Sequence, residues 1–118
     1  MKKFLAIYLG SDSGANAMRW ESMDDKTRQE REMAGMKAWQ NWAEKNHASI
    51  LDMGNPLGTT KRVDAKGLSN TKNAMTAYTL VQAKSHDEAS KLFLDHPHFT
   101  IFPGDSIEIM ECLALPGM

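Results

Sequence analysis

The side chains best suited to chemistry gather near the end of the sequence, in DHPHFTIFPGDSIEIMECLALPGM, residues 95–118. Two histidines, His96 and His98, flank Pro97, with Asp95 before them and Glu108 and Glu111 a short way on. On an extended backbone residues two apart point the same way, so the two imidazoles could meet one ligand or one metal ion. A zinc ion would need at least one further ligand, which Asp95, Glu108 or Glu111 could supply. The spacing matches no known ligand pattern, however, and no metal is expected. Imidazole titrates near neutral pH, which makes His96 and His98 candidates for proton transfer or polar binding. The plainer reading gives Pro97 the job of stopping a helix, with the histidines favourably placed at its C-terminal dipole.

A second group surrounds LDMGNPLG, residues 51–58. Asp52 and Asn55 set a carboxylate and an amide beside a Gly/Pro turn, while Trp39 and Trp42 lie on the preceding helix and Tyr78 on a later strand. Apolar walls with a few convergent polar groups are the usual make-up of a small-molecule site. Asp52 is a candidate general base or electrostatic anchor, with His96 or His98 as its proton-donating partner. Trp39, Trp42, Asn55 and Tyr78 are candidate ligand contacts. Against this, aromatic residues on a helix stripe commonly serve packing, and Asp or Asn beside a turn commonly bonds its own backbone. Cys112 alternates within a terminal strand and reads as a small apolar residue rather than a nucleophile.

The elements that must position these groups follow from pattern and punctuation. Residues 3–9 (KFLAIYL) form a nearly all-apolar strand, covered on both faces, and a short helix over 15–20 follows a polar break. A long helix begins at a capping arrangement of Ser22 and Asp25 and runs to residue 47, with Met33, Met36, Trp39 and Ala43 at helical spacing. Strands are expected at 49–54 and 74–83, with 59–63 as one arm of a hairpin and 64–73 as a polar loop. Ser85 and Glu88 open a second helix that continues until Pro97; 100–102 is a short extended piece and 105–115 the last strand.

Composition bounds the rest. With 118 residues, 42% hydrophobic and 25% charged, the chain is read as one ordinary globular domain over residues 1–118. A formal net charge of −1 argues against a duplex-binding surface. The start, MKKFLAIYLG, is cut off by GSDSGAN before it could make a signal peptide, and no apolar stretch approaches the roughly 18–20 residues of a membrane span. One cysteine fits a reducing, cytoplasmic setting. The order β–α–β–β–α–β is the split, ferredoxin-like α+β arrangement, an antiparallel sheet with its helices on one face. The other sheet face, apolar in strands one and three, calls for a second copy, as a twofold homodimer.

MKKFLAIYLG, GMKAWQNWAEKNH, LDMGNPLG, AYTLVQAKSHDEASKLFLDHPHF and IEIMECLALPGM, in that order, resemble the YCII-related family, in the broad group that includes the DGPF-type proteins. The resemblance spans essentially the whole chain and implies a ferredoxin-like protomer, a dimeric α/β barrel and a cleft near the subunit interface. Some members are thought to use a His–Asp pair with the histidine on the first helix. Here AWQNWAEK carries tryptophans instead, and His47 falls at the helix end, so Asp52 would occupy the acidic position without that partner. By analogy the expected function is binding of a small organic ligand, with a lyase- or isomerase-type reaction that uses no cofactor. The alternative is a non-catalytic ligand-binding or dimerisation module.

Overall fold

The computed structural model describes residues 1–117. The apolar run at the start of the chain forms β1 (Lys2–Leu9), whose alternation sends Phe4, Ala6 and Tyr8 to one face and Leu5, Ile7 and Leu9 to the other. β1 pairs antiparallel with β5 (Met75–Ala83) and with β6 (Ser106–Glu111), and β2 (Ile50–Asp52) flanks β5, giving the order β2-β5-β1-β6. α2 (Asp25–Lys45) and α3 (His86–Lys91) supply Trp42 and Ala89 to a core that also holds Phe4, Ala6, Tyr8, Val81, Ala83 and Phe93. Both helices therefore lie on one face of the sheet, and the fold is α+β and ferredoxin-like, as its pattern predicts. Among the described residues, no helix is long and apolar enough to cross a membrane.

α1 (Ala15–Glu21) forms one residue longer than expected. The start of α2 differs from the capping arrangement read at Ser22 and Asp25. Asp24 is the N-cap, and its carboxylate accepts the backbone N–H of Thr27, while the Ser22 hydroxyl donates back to the Arg19 carbonyl. Both Asp24 and Ser22 are acceptable cap residues, and the turn after α1 decided between them. The apolar stripe also rotates: Gly35 and Trp42 are buried with Ala38, Trp39 and Ala43 half-buried beside them, whereas Met33 and Met36 stay exposed. Gly35 turns inward because the ring of Phe102 occupies the place of a side chain there.

Four further expectations are corrected. Residues 64–73 are not a loop: β3 (Thr60–Asp64) and β4 (Gly67–Thr71) form a two-stranded hairpin with Val63 opposite Leu68, its turn closed by Gly67 at φ 108°. Nor does Pro97 stop a helix. α3 ends at Lys91, Asp95 takes the left-handed conformation at φ 57°, and Pro97 sits at the first position of a new helix, α4 (Pro97–Thr100). Proline is as much a helix starter as a stopper, because the first turn does not use its missing N–H. Residues 100–102 accordingly close α4 and turn rather than extend, and the last strand ends at Glu111.

The N-cap assignment has a measurable consequence. Asp24→Ala is expected to lower the urea midpoint with an unchanged m-value, and by more than Ser22→Ala. The Thr27 hydrogen bonds hold the Asp24 carboxyl below its ordinary value of 3.8. Its contribution is therefore present above 3.8 and fades as pH falls through the lowered value, so Asp24→Asn and wild type should converge in acid.

Candidate functional site

An open cleft of about 510 Å³ lies between α2 and the chain segment that leaves β2. α2 contributes Met36, Trp39, Gln40 and Ala43; the segment contributes Met53, Gly54, Asn55 and Pro56; Tyr8, His98 and Phe102 close the inner end. The walls are thus mostly aromatic, aliphatic and thioether, with Gln40, Asn55 and His98 as polar groups. Thr76, His98 and Phe102 also border a second, more polar hollow of about 430 Å³ near Ser11, Asp12 and Glu21.

The segment 53–56 is held in place by backbone rather than by bulk. Pro56 bridges to Ala77, and the Leu57 N–H donates to the Thr76 carbonyl at 2.8 Å. Thr79, fully buried, donates its hydroxyl to the Met53 carbonyl at 2.9 Å, which leaves its oxygen to accept the phenol proton of Tyr8 at 2.9 Å. Burial pushes the Tyr8 phenol up to about 12, only partly offset by that hydrogen bond, so it stays protonated. Gly54 is at φ 73°, and a methyl group built on it would lie 1.8 Å from the Tyr78 carbonyl oxygen. Only glycine satisfies both the left-handed backbone and that close approach.

The two histidines are divided between support and lining. His96, 1% exposed, is the N-cap of α4: its Nδ1 accepts the backbone N–H of His98 at 3.0 Å, which puts the proton of the neutral ring on Nε2. That Nε2 is buried without a hydrogen-bond partner among the described residues. The ring stands 4.5 Å from Trp39 and 4.7 Å from Trp42, with Tyr8 and Phe93 also beside it, where aromatic faces offer weak acceptors. Burial, and secondarily the proximity of His98, lowers its pKa to about 3. His98 lies flat against Gly104 and donates Nε2–H to the Leu9 carbonyl at 2.8 Å. Burial also lowers its pKa, against the opposing pull of the Leu9 and Ser106 carbonyls and the Asp105 carboxylate. Both rings are neutral at ordinary pH, and His98 keeps Nδ1 unprotonated.

The remaining candidates separate in the same way. Trp39 and Asn55 line the cleft; Tyr78, which the register puts opposite Ile7 on the other sheet face, borders it along its strand. Trp42 is core, its indole N–H donating to the Leu92 carbonyl at 2.7 Å and so serving an unpaired carbonyl at the end of α3. Asp52 is exposed and outside the lining, its carboxylate accepting the Gly54 N–H at 2.8 Å. Glu108 and Asp95 are likewise exposed and apart, and no three His, Cys, Asp or Glu among the described residues form a metal-holding group. Tyr8, Gln40, Thr79, Phe102 and Gly104 were not singled out from the sequence. Tyr8 lies in the apolar run of the first strand, while Gln40 on α2, Thr79 on β5, and Phe102 and Gly104 in the turn after α4 carry no local pattern that marks them.

Two outcomes follow from this geometry. Gly54→Ala should cost more than about 2 kcal/mol in chemical denaturation, since strain and a backbone clash add. For His96 the unfolded chain takes up a proton near 6.5 and the folded chain only near 3. Stability is therefore complete above 6.5 and falls as pH drops through that window, by up to about 1.4 kcal/mol per pH unit. His98, whose pKa burial also lowers, adds an effect of the same sign. His96→Phe should flatten the slope of urea midpoint against pH between 6.5 and 4.5, even though it loses the α4 cap.

No family model matches the chain, and no curated protein does. Among solved structures it is similar to the 5-chloro-2-hydroxyhydroquinone dehydrochlorinase TftG from Burkholderia phenoliruptrix AC1100, in complex with 2,5-dihydroxybenzoquinone. The two superpose with a TM-score of 0.51 at 17% identity, over 92% of this chain and 90% of that one. At that identity the likeness is one of fold, and the chain shares the ferredoxin-like α+β arrangement with this dehydrochlorinase.

Proposed function

We propose that the cleft binds a small, flat and largely apolar organic molecule, in a YCII-like protein whose single domain spans residues 1–118 and works in the cytoplasm. The observation that carries this reading is the cleft of about 510 Å³ walled by Trp39, Phe102, Met36, Met53 and Pro56, with Asn55, Gln40 and His98 as its polar contacts. A planar ring could stack or meet these aromatic edges and find one or two hydrogen bonds, the pattern of a site selective by shape. The shared fold with an enzyme caught with a quinone supports this ligand class.

The catalytic form of the reading is a lyase- or isomerase-type step without an organic cofactor. His98 is the imidazole at the cleft, and its unprotonated Nδ1 is the group suited to receive a proton. A non-catalytic binding module is favoured by a separate observation: the Asp52 carboxylate is engaged by its own turn and His96 by the cap of α4. In either form we infer a homodimer through the uncovered sheet face. Leu5, Ile7, Leu9, Tyr78, Leu80 and Met110 share that face, and an apolar sheet surface of this kind calls for a cover.

A panel of phenols, quinones and aliphatic acids, titrated while tryptophan fluorescence is followed, tests the proposal. Saturable quenching is expected for planar aromatic members, about tenfold weaker in Asn55→Ala and abolished in Ala43→Trp, which fills the cleft. Product analysis by mass spectrometry separates the two forms, because turnover lost in His98→Asn supports catalysis. Quenching unchanged in Ala43→Trp, or none with any aromatic member, would overturn the site.

A further inference from the structure

The hairpin β3–β4 contributes nothing to the core or to the cleft. Every residue from 61 to 70 is exposed, and its two strands pair only with each other. It stands off the sheet in a molecule with extents of 54 × 43 × 19 Å and a radius of gyration of 16.3 Å, against about 13.5 Å for a compact chain of this length. Two-stranded ribbons of this kind are marginal alone in water and gain stability by lying against another surface.

The chemistry of the ribbon says which surface. Register puts Val63 directly opposite Leu68 on one face, 76% and 78% exposed, with Lys61 and Asn70 next to them and bonded to each other at 2.8 Å. Between residues 59 and 73 the chain has four basic residues, Lys61, Arg62, Lys66 and Lys72, and one acidic, Asp64, 4.0 Å from Arg62. The remaining chain has ten basic against fourteen acidic residues. A cationic ribbon with an apolar tip thus belongs to a chain whose body is anionic. Its attraction is for a second body of the same kind, since its own body is set apart from it by the fold.

Resting on the homodimer inferred above, we propose that β3–β4 is a dimerisation arm. It crosses from one protomer to lie on the acidic body of the second copy, with Val63 and Leu68 as its buried contacts. The sheet faces then supply the apolar centre of the interface, and the arm supplies a reciprocal clasp whose charge fixes the pairing.

Light scattering on a dilution series of the full chain reads the dimer dissociation constant. Val63→Asp with Leu68→Asp, and separately Lys61→Glu with Lys66→Glu, should each raise it about tenfold or more, with circular dichroism unchanged because these side chains are exposed. The wild-type constant should rise with added salt. In a Cys112→Ser background, a photo-crosslinker on Leu68→Cys should give an intermolecular adduct. A wild-type chain that is monomeric at every concentration would overturn the dimer and the arm together. A dimer whose constant is unmoved by both arm variants, or an adduct confined within one chain, would overturn the arm and leave the sheet-face dimer standing.

Discussion

A phenol sealed from water needs a hydrogen-bond acceptor, and in this fold Tyr8 finds one in the Thr79 hydroxyl. That requirement organises the surroundings. Thr79 accepts from Tyr8 while donating its own proton to the Met53 carbonyl, so one chain of hydrogen bonds joins the central strand β1, its neighbour β5 and the segment that walls the cleft. The Tyr8 ring is packed in turn by Trp39, Phe93, His96 and His98. Position and chemistry are thereby coupled: the residue that anchors the core also sets the floor of the site.

The same burial decides the electrical character of the cleft. Neither imidazole carries charge at ordinary pH, and the phenol keeps its proton, so the inner end presents neutral polar groups among aromatic walls. Such a surface has little to offer a free phosphate or a strongly charged acid and much to offer a neutral ring. The imidazoles also stabilise structure directly. His96 caps α4 and His98 ties the following turn to the end of β1, which is how a helix of one turn is kept in register with the sheet.

The outline of the fold was legible because it rests on local rules. The nearly all-apolar run KFLAIYL, the Ser85 cap before Glu88, and the apolar run at 74–83 each declare an element, and their order matches the split ferredoxin-like arrangement. Errors arose where two local rules competed on equal terms. Pro97 can end a helix or begin one, Ser22 and Asp24 can each cap, and a polar stretch with a glycine can be a loop or a hairpin. For Pro97, neighbours elsewhere in the chain resolved the case: His96 is held by Trp39 and Trp42, so a new helix starts behind it.

Of the site, Trp39, Asn55 and His98 were visible as residue types suited to binding, and they do line one cleft with Tyr78 at its border. Their division from Asp52, Trp42 and His96 was not visible, because it depends on which hydrogen bonds the backbone had already claimed. The sequence by itself determined the main strands and longer helices, the two-faced character of the sheet and the stock of groups available for chemistry, since periodicity and capping act within a few residues. Tertiary structure alone decided which of those groups are spent on the fold and which are left to line the cleft. Partners some seventy to ninety residues apart, such as Tyr8 with Thr79 and Leu9 with His98, meet only after the strands have paired.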